Sequence, residues 1–303
     1  MEEPSIVKGV DRLLVRTTAV EPLFQLFTQR LLLPEAWPIT TYPLLINGGV
    51  QLGNLSLELF QMRSEPRAAP SGPRAWYYGI GLQMEPFSDA LQKLDERGIQ
   101  HSSPIPFFVF DDEGWQVTAW SSIYLGGLLG DSLLARLFFT LSKRAPQAYW
   151  EKRSLVARLN RRFGLPFLYN RVFTNGVILS IDQNPIWRKM NAHQSPNPAG
   201  LEVKRVAEIS VGVRSLPKAC ARWKALLDPY PEINEADWQL PSGLHIRLYQ
   251  QPKDQLIGMT LQVQSLNRAA QFLHRCGLLK EQPSGVIAID PEQVQGLNIV
   301  LMQ

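Results

Sequence analysis

The sequence predicts an α+β protein built from four βαβββ-like modules, and three observations carry that prediction. An alternating stretch that runs at once into a helix and is followed by further strands begins four times, at residues 9–17, Trp76–Met84, Val203–Val213 and Leu256–Val263. A unit that recurs along a chain constrains the fold more tightly than any single element. Within the first module, Gly48–Met62 reads as a strand with two unlike faces, Leu55, Leu57 and Leu59 against Asn54, Ser56 and Glu58, the period-two signature of a sheet covered on one side. Finally, 303 residues with 45% hydrophobic side chains supply the cores of roughly two domains of ordinary size.

The elements follow in order. In residues 9–17, Val10, Arg12, Leu14 and Arg16 alternate with Leu13 and Val15, which marks a strand. Thr17 and Thr18 then precede apolar residues at helical spacing with an early proline, Val20–Phe27, and predict a helix of about three turns. Ala36–Ile46 and Gly49–Met62 supply the next two or three strands, and the Pro/Ala/Ser/Gly-rich loop Pro66–Pro73 ends the module. The second module opens at Trp76, with a helix over Ser88–Arg97 that Gly98 closes. The third has a helix capped by Ser215 and running to Leu227, and it closes on Gly243–Tyr249. In the fourth, a helix over Ser265–Cys276 is stopped by Gly277, and strands continue to the last residue.

The second module is oversized. Its surplus, about residues 121–169, is helical in character: Leu128, Leu133, Leu134, Leu137, Phe138 and Leu141, then a basic stretch from Lys152 to Arg162. Such an insertion can be a lid, a helical hairpin packed on the sheet, or a basic surface for a protein partner or a peripheral membrane contact. A first domain over residues 1–183, a polar, proline-bearing linker over 184–200 and a second domain over 201–303 follow from the spacing of the modules.

Composition narrows the function classes. Lys and Arg total 31 against 27 for Asp and Glu, a mild excess unlike the dense basic face of a nucleic-acid binder. The two cysteines, Cys220 and Cys276, make neither a disulfide framework nor a thiolate metal site. The acidic start Met-Glu-Glu-Pro lacks the features of a signal peptide, and no apolar run is long enough to span a bilayer; a cytoplasmic protein is the expectation. No Ser-His-Asp order, Cys-His arrangement, P-loop or G-x-G-x-x-G cradle is present, so the sequence identifies no reaction. Surface positions are expected for His101, His193 and His274.

Paired βαβββ units, with an opening strand followed by a helix and a last strand of the form Leu55-Ser56-Leu57-Glu58-Leu59, resemble the vicinal oxygen chelate superfamily of glyoxalases, bleomycin-resistance proteins and extradiol dioxygenases. The resemblance implies tandem glyoxalase-like domains in which two modules curl into a cup, with helices outside and ligand inside. It also implies a divalent metal held by inward residues of the opening and last strands of each module. Carried over to this chain, only Glu58 matches a ligand in the first cup. In the second cup Glu208 matches, with His245 able to add one more group. Two protein ligands fall short of a tightly held transition metal, so the family's metal centre is expected to be missing, with no other cofactor in its place.

In those positions the chain carries instead Arg12 opposite Glu58 and Glu208 opposite Arg247, the same pair with its order exchanged. A permanently charged guanidinium can stand where a cation stood, or each pair can be a buried structural ion pair with no chemistry; in the functional alternative Arg12 and Arg16 bind an anionic group of the ligand and Glu58 holds them in position. The expected ligand site is therefore the first cup, with Arg12, Arg16, Asn54, Ser56 and Glu58 as polar groups. Trp76 and Tyr78 form its aromatic wall, Tyr77, Trp115 and Trp120 lie nearby, and Glu208, His245 and Arg247 are the counterpart in the second cup. The expected function is binding of a small aromatic or anionic molecule. A metal-dependent lyase or ring-cleaving dioxygenase and an assembly scaffold are the alternatives.

Overall fold

The computed structural model describes residues 5–42, 45–63, 74–84, 86–110, 116–129, 133–144, 177–183, 200–281 and 286–303. The first module runs β1 (Val7–Thr17), α1 (Val20–Gln25) extended by a π turn over Leu26–Arg30, β2 (Glu35–Thr41), β3 (Leu45–Gln51) and β4 (Ser56–Met62). The second runs β5 (Ala75–Met84), α2 (Phe87–Glu96), β6 (Ile105–Phe110), β7 (Gln116–Leu125), the inserted α3 (Leu133–Arg144) and β8 (Val177–Gln183). The third holds β9 (Val203–Val213), α4 (Leu216–Leu227), β10 (Glu232–Asn234), β11 (Asp237–Gln239) and β12 (His245–Gln250). The fourth holds β13 (Gln255–Val263), α5 (Leu266–Arg275), β14 (Leu279–Glu281), β15 (Ile287–Ile289) and β16 (Ile299–Met302).

The modules pair as the repeat predicts. One eight-stranded sheet has the order β2-β3-β4-β1-β5-β8-β7-β6, and the other repeats it as β10-β11-β12-β9-β13-β16-β15-β14. In both, the opening strands of two modules lie antiparallel at the centre and each lies parallel to the last strand of its own module. Each sheet curls without closing, so the fold is α+β with two cups. One apolar core runs through both halves on the outer, helix-bearing faces, from Leu13, Leu23 and Phe27 to Trp223, Leu226 and Leu273. A smaller cluster, Leu14, Phe60, Met62, Tyr78, Ile105, Tyr124 and Phe139, lies inside the first cup. Among the described residues no helix is long and apolar enough to cross a membrane.

Local chemistry explains where elements end. Gly98 and Gly277 adopt positive φ of 64° and 65° just after α2 and α5, the left-handed stop that glycine takes without steric cost. Ser265 accepts a hydrogen bond from the Arg268 amide at the start of α5, whereas Ser215 holds the N-cap position of α4 with no side-chain bond. A β-bulge between Val10 and Arg12 turns Val10 into the outer core and away from the face of Arg12.

Gly48–Met62 is a hairpin, not one strand. Leu55, Leu57 and Leu59 do pack into the outer core, but the chain turns at Gly53, whose φ is 85°. A Cβ on Gly53 would collide with the Lys204 carbonyl, so the turn presses directly on β9. Asn54 therefore leaves the ligand face expected for it. Its Nδ2 donates to the Val206 carbonyl at 3.0 Å and its Oδ1 accepts from the Val206 amide at 2.8 Å, binding one half of the chain to the other as a strand neighbour would. The matching turn of the fourth module does the same job in reverse. Gln295, at φ 59°, accepts from the Ala75 amide at 2.7 Å and from the Thr17 hydroxyl at 2.6 Å. Replacing Asn54 with Ala strands both backbone groups of Val206, and chemical denaturation is expected to show a loss of about 1–3 kcal/mol. A change within error would mean that the bond pair does not couple the halves.

Candidate functional site

The floor of the first cup is built around the predicted pair. Parity along β1 and β4 turns Arg12 and Glu58 to the same face, and Arg12 Nη1 donates to Glu58 Oε2 at 3.0 Å. Asn47 of β3 donates Nδ2 to the other carboxylate oxygen, Oε1, at 2.9 Å, so both oxygens of Glu58 are engaged. Arg12 is further tied to Asp11, with Nε 2.8 Å and Nη2 2.7 Å from Asp11 Oδ2. Burial opposes the charge on Arg12, but Asp11 and Glu58 outweigh it and hold the pKa above the usual arginine value. Two glycines make room for this arrangement. A Cβ on Gly81 would meet the Arg12 stem, and one on Gly49 would run into the Trp37 ring, which covers the guanidinium at 5.6 Å. Tyr42 lies within reach of the same charge: burial, then the Glu58 carboxylate, pushes its phenol up.

The other predicted residues divide. Arg16 is buried and lies over both Trp76, at 5.4 Å, and Tyr78, at 5.8 Å. Tyr78 stacks edge-on against Phe60 at 5.2 Å, as part of the cup interior. Ser56 turns to the hairpin, donating to Gln51 Oε1 at 3.2 Å, and takes no part in the floor. Tyr77 faces the outer core and reaches the Asn298 carbonyl, and Trp120 meets Tyr42 edge-on at the rim. Trp115, His193 and the basic stretch of the insertion lie outside the described residues. His101 is not at the surface: it is buried, with Nδ1 against the Ser102 carbonyl and Nε2 against Asp95. Asp95 also accepts from Lys143 at 2.7 Å, which, with Phe139, fastens α3 over the first cup.

The second cup is more open. Along β12 the buried residues Ile246 and Leu248 alternate with half-buried His245, Arg247 and Tyr249, whereas β4 is buried on both faces from Leu57 onward. The predicted Glu208–Arg247 pair forms at 3.2 Å. Its stronger partner had no sequence signal. Asp237, 1% exposed, accepts from Arg247 Nε at 3.1 Å and Nη2 at 2.5 Å, and meets His245 Nδ1 at 2.9 Å. Burial disfavours the charge of Asp237, yet the bonds from Arg247 and His245 outweigh it and hold the carboxyl below its ordinary range.

Neither donor set suits a divalent metal of the type the resemblance implies. Among the described side chains, Glu58 on the floor of the first cup is already bonded by a guanidinium and an amide, and in the second cup Glu208 and Asp237 are both bonded to Arg247. Among the described residues no group of three or more His, Cys, Asp or Glu side chains is placed to hold a metal ion, and structural or catalytic sites need about that number.

Neither a protein-family model nor a curated protein matches this chain. Solved structures do. A mutant of 4-hydroxymandelate synthase from Streptomyces coelicolor is similar at a TM-score of 0.58 and 9% identity, over 98% of this chain and 92% of that one. The 2,3-dioxygenase LapB from Pseudomonas sp. KL28 is similar at 0.54 and 10% identity, over 98% and 92%. A hypothetical protein from Staphylococcus aureus is similar at 0.52 and 9% identity, over 97% and 98%. At such identities the likeness carries the architecture alone: the chain shares with these structures the two-cup fold of paired modules that the sequence reading expects.

Proposed function

We propose that the chain binds a small molecule in its first cup without a metal, and that the arginine–carboxylate pair stands where the family holds its cation. The observation that carries this reading is Asn47. Its Nδ2 is fixed by Glu58, and its Oδ1, buried on the same floor, has no hydrogen-bond partner among the described residues. A buried acceptor left open costs about 1–3 kcal/mol, and a ligand that brings an O–H or N–H group removes that cost. Apolar and aromatic walls from Phe60, Met62, Tyr78 and Phe139 suit a flat, largely apolar body. An anionic ligand is less well served, because Arg12 is already shared between two carboxylates.

The dioxygenase alternative rests on the fold alone and meets a donor set that does not suit its metal. The reading keeps a first domain over residues 1–183 and a second over 201–303, with one sheet in each half as its support; residues 184–199 lie outside the described residues. Elemental analysis of the purified protein is expected to find no stoichiometric divalent metal, and a chelator is expected to leave stability unchanged. A screen of neutral aromatic fragments by protein-detected NMR is expected to find binders that Asn47→Leu loses. One equivalent of Fe, Mn, Ni or Zn, removable with loss of stability, would defeat the reading, as would binders indifferent to Asn47.

A further inference from the structure

The second cup holds a polar cluster that the first-cup reading does not use. His245, Arg247 and Tyr249 occupy alternate positions of β12 and turn away from Ile246 and Leu248, which pack into the outer core. Glu208 and Ser210 face them from β9, and Asp237 faces them from β11. Following the bonds through this cluster leaves one group open. Asp237 gives Oδ2 to Arg247 and Oδ1 to His245. Glu208 gives Oε1 to the hydroxyls of Ser210, at 2.6 Å, and Tyr249, at 2.9 Å, and Oε2 to Arg247. Arg205, the nearby cation of β9, is taken by Gln262 and the Ser242 carbonyl. His245 Nε2 has no partner among the described residues, and the side chain is 28% exposed.

The tautomer follows from the partner. A carboxylate only accepts, so His245 Nδ1 carries the hydrogen that Asp237 receives, and a neutral ring then presents a lone pair at Nε2. That lone pair selects what can approach it: a group that offers an O–H or N–H hydrogen is drawn in, and a carboxylate, which only accepts, is not.

We propose that the second cup is a separate binding site, for a neutral small molecule that presents an O–H or N–H donor to His245 Nε2. Asp237 is the positioning residue, because it fixes the tautomer that makes Nε2 an acceptor. The site is distinct from the first cup, and each can fail without the other.

The test uses the full chain labelled with 15N at histidine, at mildly alkaline pH, where imidazole is neutral and phenol keeps its proton. Long-range 1H–15N spectra are expected to show His245 as the Nδ1–H tautomer, with Nε2 unprotonated. Phenol, used as the probe, is expected to shift that Nε2 resonance saturably, and benzoate, which offers no donor at this pH, is not. His245→Leu is expected to weaken phenol binding about tenfold, the worth of one such hydrogen bond. Asp237→Asn can offer Nδ2–H to the ring and is expected to reverse the tautomer. An Nε2–H tautomer in the unmodified protein overturns the proposal even where a variant fails to fold. So does the absence of any phenol-dependent shift at His245, equal binding of benzoate, or phenol binding unaffected by His245→Leu.

Discussion

Replacing Glu58 with Gln is expected to cost the fold about 3 kcal/mol in chemical denaturation, near the lower end for breaking a buried ion pair. The side chains of Arg12 and Glu58 are only 10% and 11% exposed, and the Arg12 guanidinium lies under the Trp37 ring. Losing the carboxylate thus leaves a cation that water reaches poorly. The cost stays near the lower end because Asp11, 45% exposed, still meets the guanidinium, and because Gln keeps an acceptor for it. The double change Arg12→Met with Glu58→Leu is expected to recover most of the loss, since an apolar pair of similar volume avoids both desolvation penalties. A double-mutant cycle reads the coupling directly. Additivity within about 0.5 kcal/mol would mean that the two side chains do not meet. A double variant that folds well but no longer binds the fragments recognised by the first cup would place the pair in the binding machinery as well as in the fold.

That pair was legible in the sequence for a simple reason. Side-chain direction alternates with period two along a strand, so once the modules are aligned, residues on opening and last strands meet across the sheet whatever the loops do. The same logic found Glu208 and Arg247. It failed where a residue's place depends on a turn or a very short strand. Asn54 shares the parity of Glu58 on paper, but the positive φ of Gly53 ends β3 before β4 begins at Ser56, and the side chain is delivered to Val206 instead of the cup. Asn47 and Trp37 reach the floor only through the hairpin register that sets Gly49 beside Glu58 and Trp37, a pairing no single stretch encodes. Asp237 sits in the three-residue β11, too short to show any period. His101 was misjudged because its partners, Asp95 and the Ser102 carbonyl, belong to the α2 end and its loop, which no spacing rule connects.

The second large effect belongs to Asp237 and shows itself through pH. Asp237→Asn is expected to destabilise the protein by about 3 kcal/mol near neutrality. It removes a fully buried carboxylate that serves Arg247 and His245 at once, while Arg247 keeps Glu208 and partial access to water. Because the folded carboxyl titrates below its ordinary range, its contribution is complete above the unfolded value, about 3.9. It is lost as pH falls from there through the lower folded value, where proton binding by the unfolded chain pulls the equilibrium over. The gap between the unmodified protein and Asp237→Asn should accordingly be widest near neutral pH and narrow below about pH 4. Asp95 titrates low as well, chiefly through its bond from Lys143. Its side chain is 63% exposed, so added salt screens that contribution while leaving the buried one nearly intact. Measured in high salt, a gap that stays constant from neutral pH through the acid limb would mean that Asp237 is not the charged centre of the second cup, and the fixed tautomer of His245 would lose its cause.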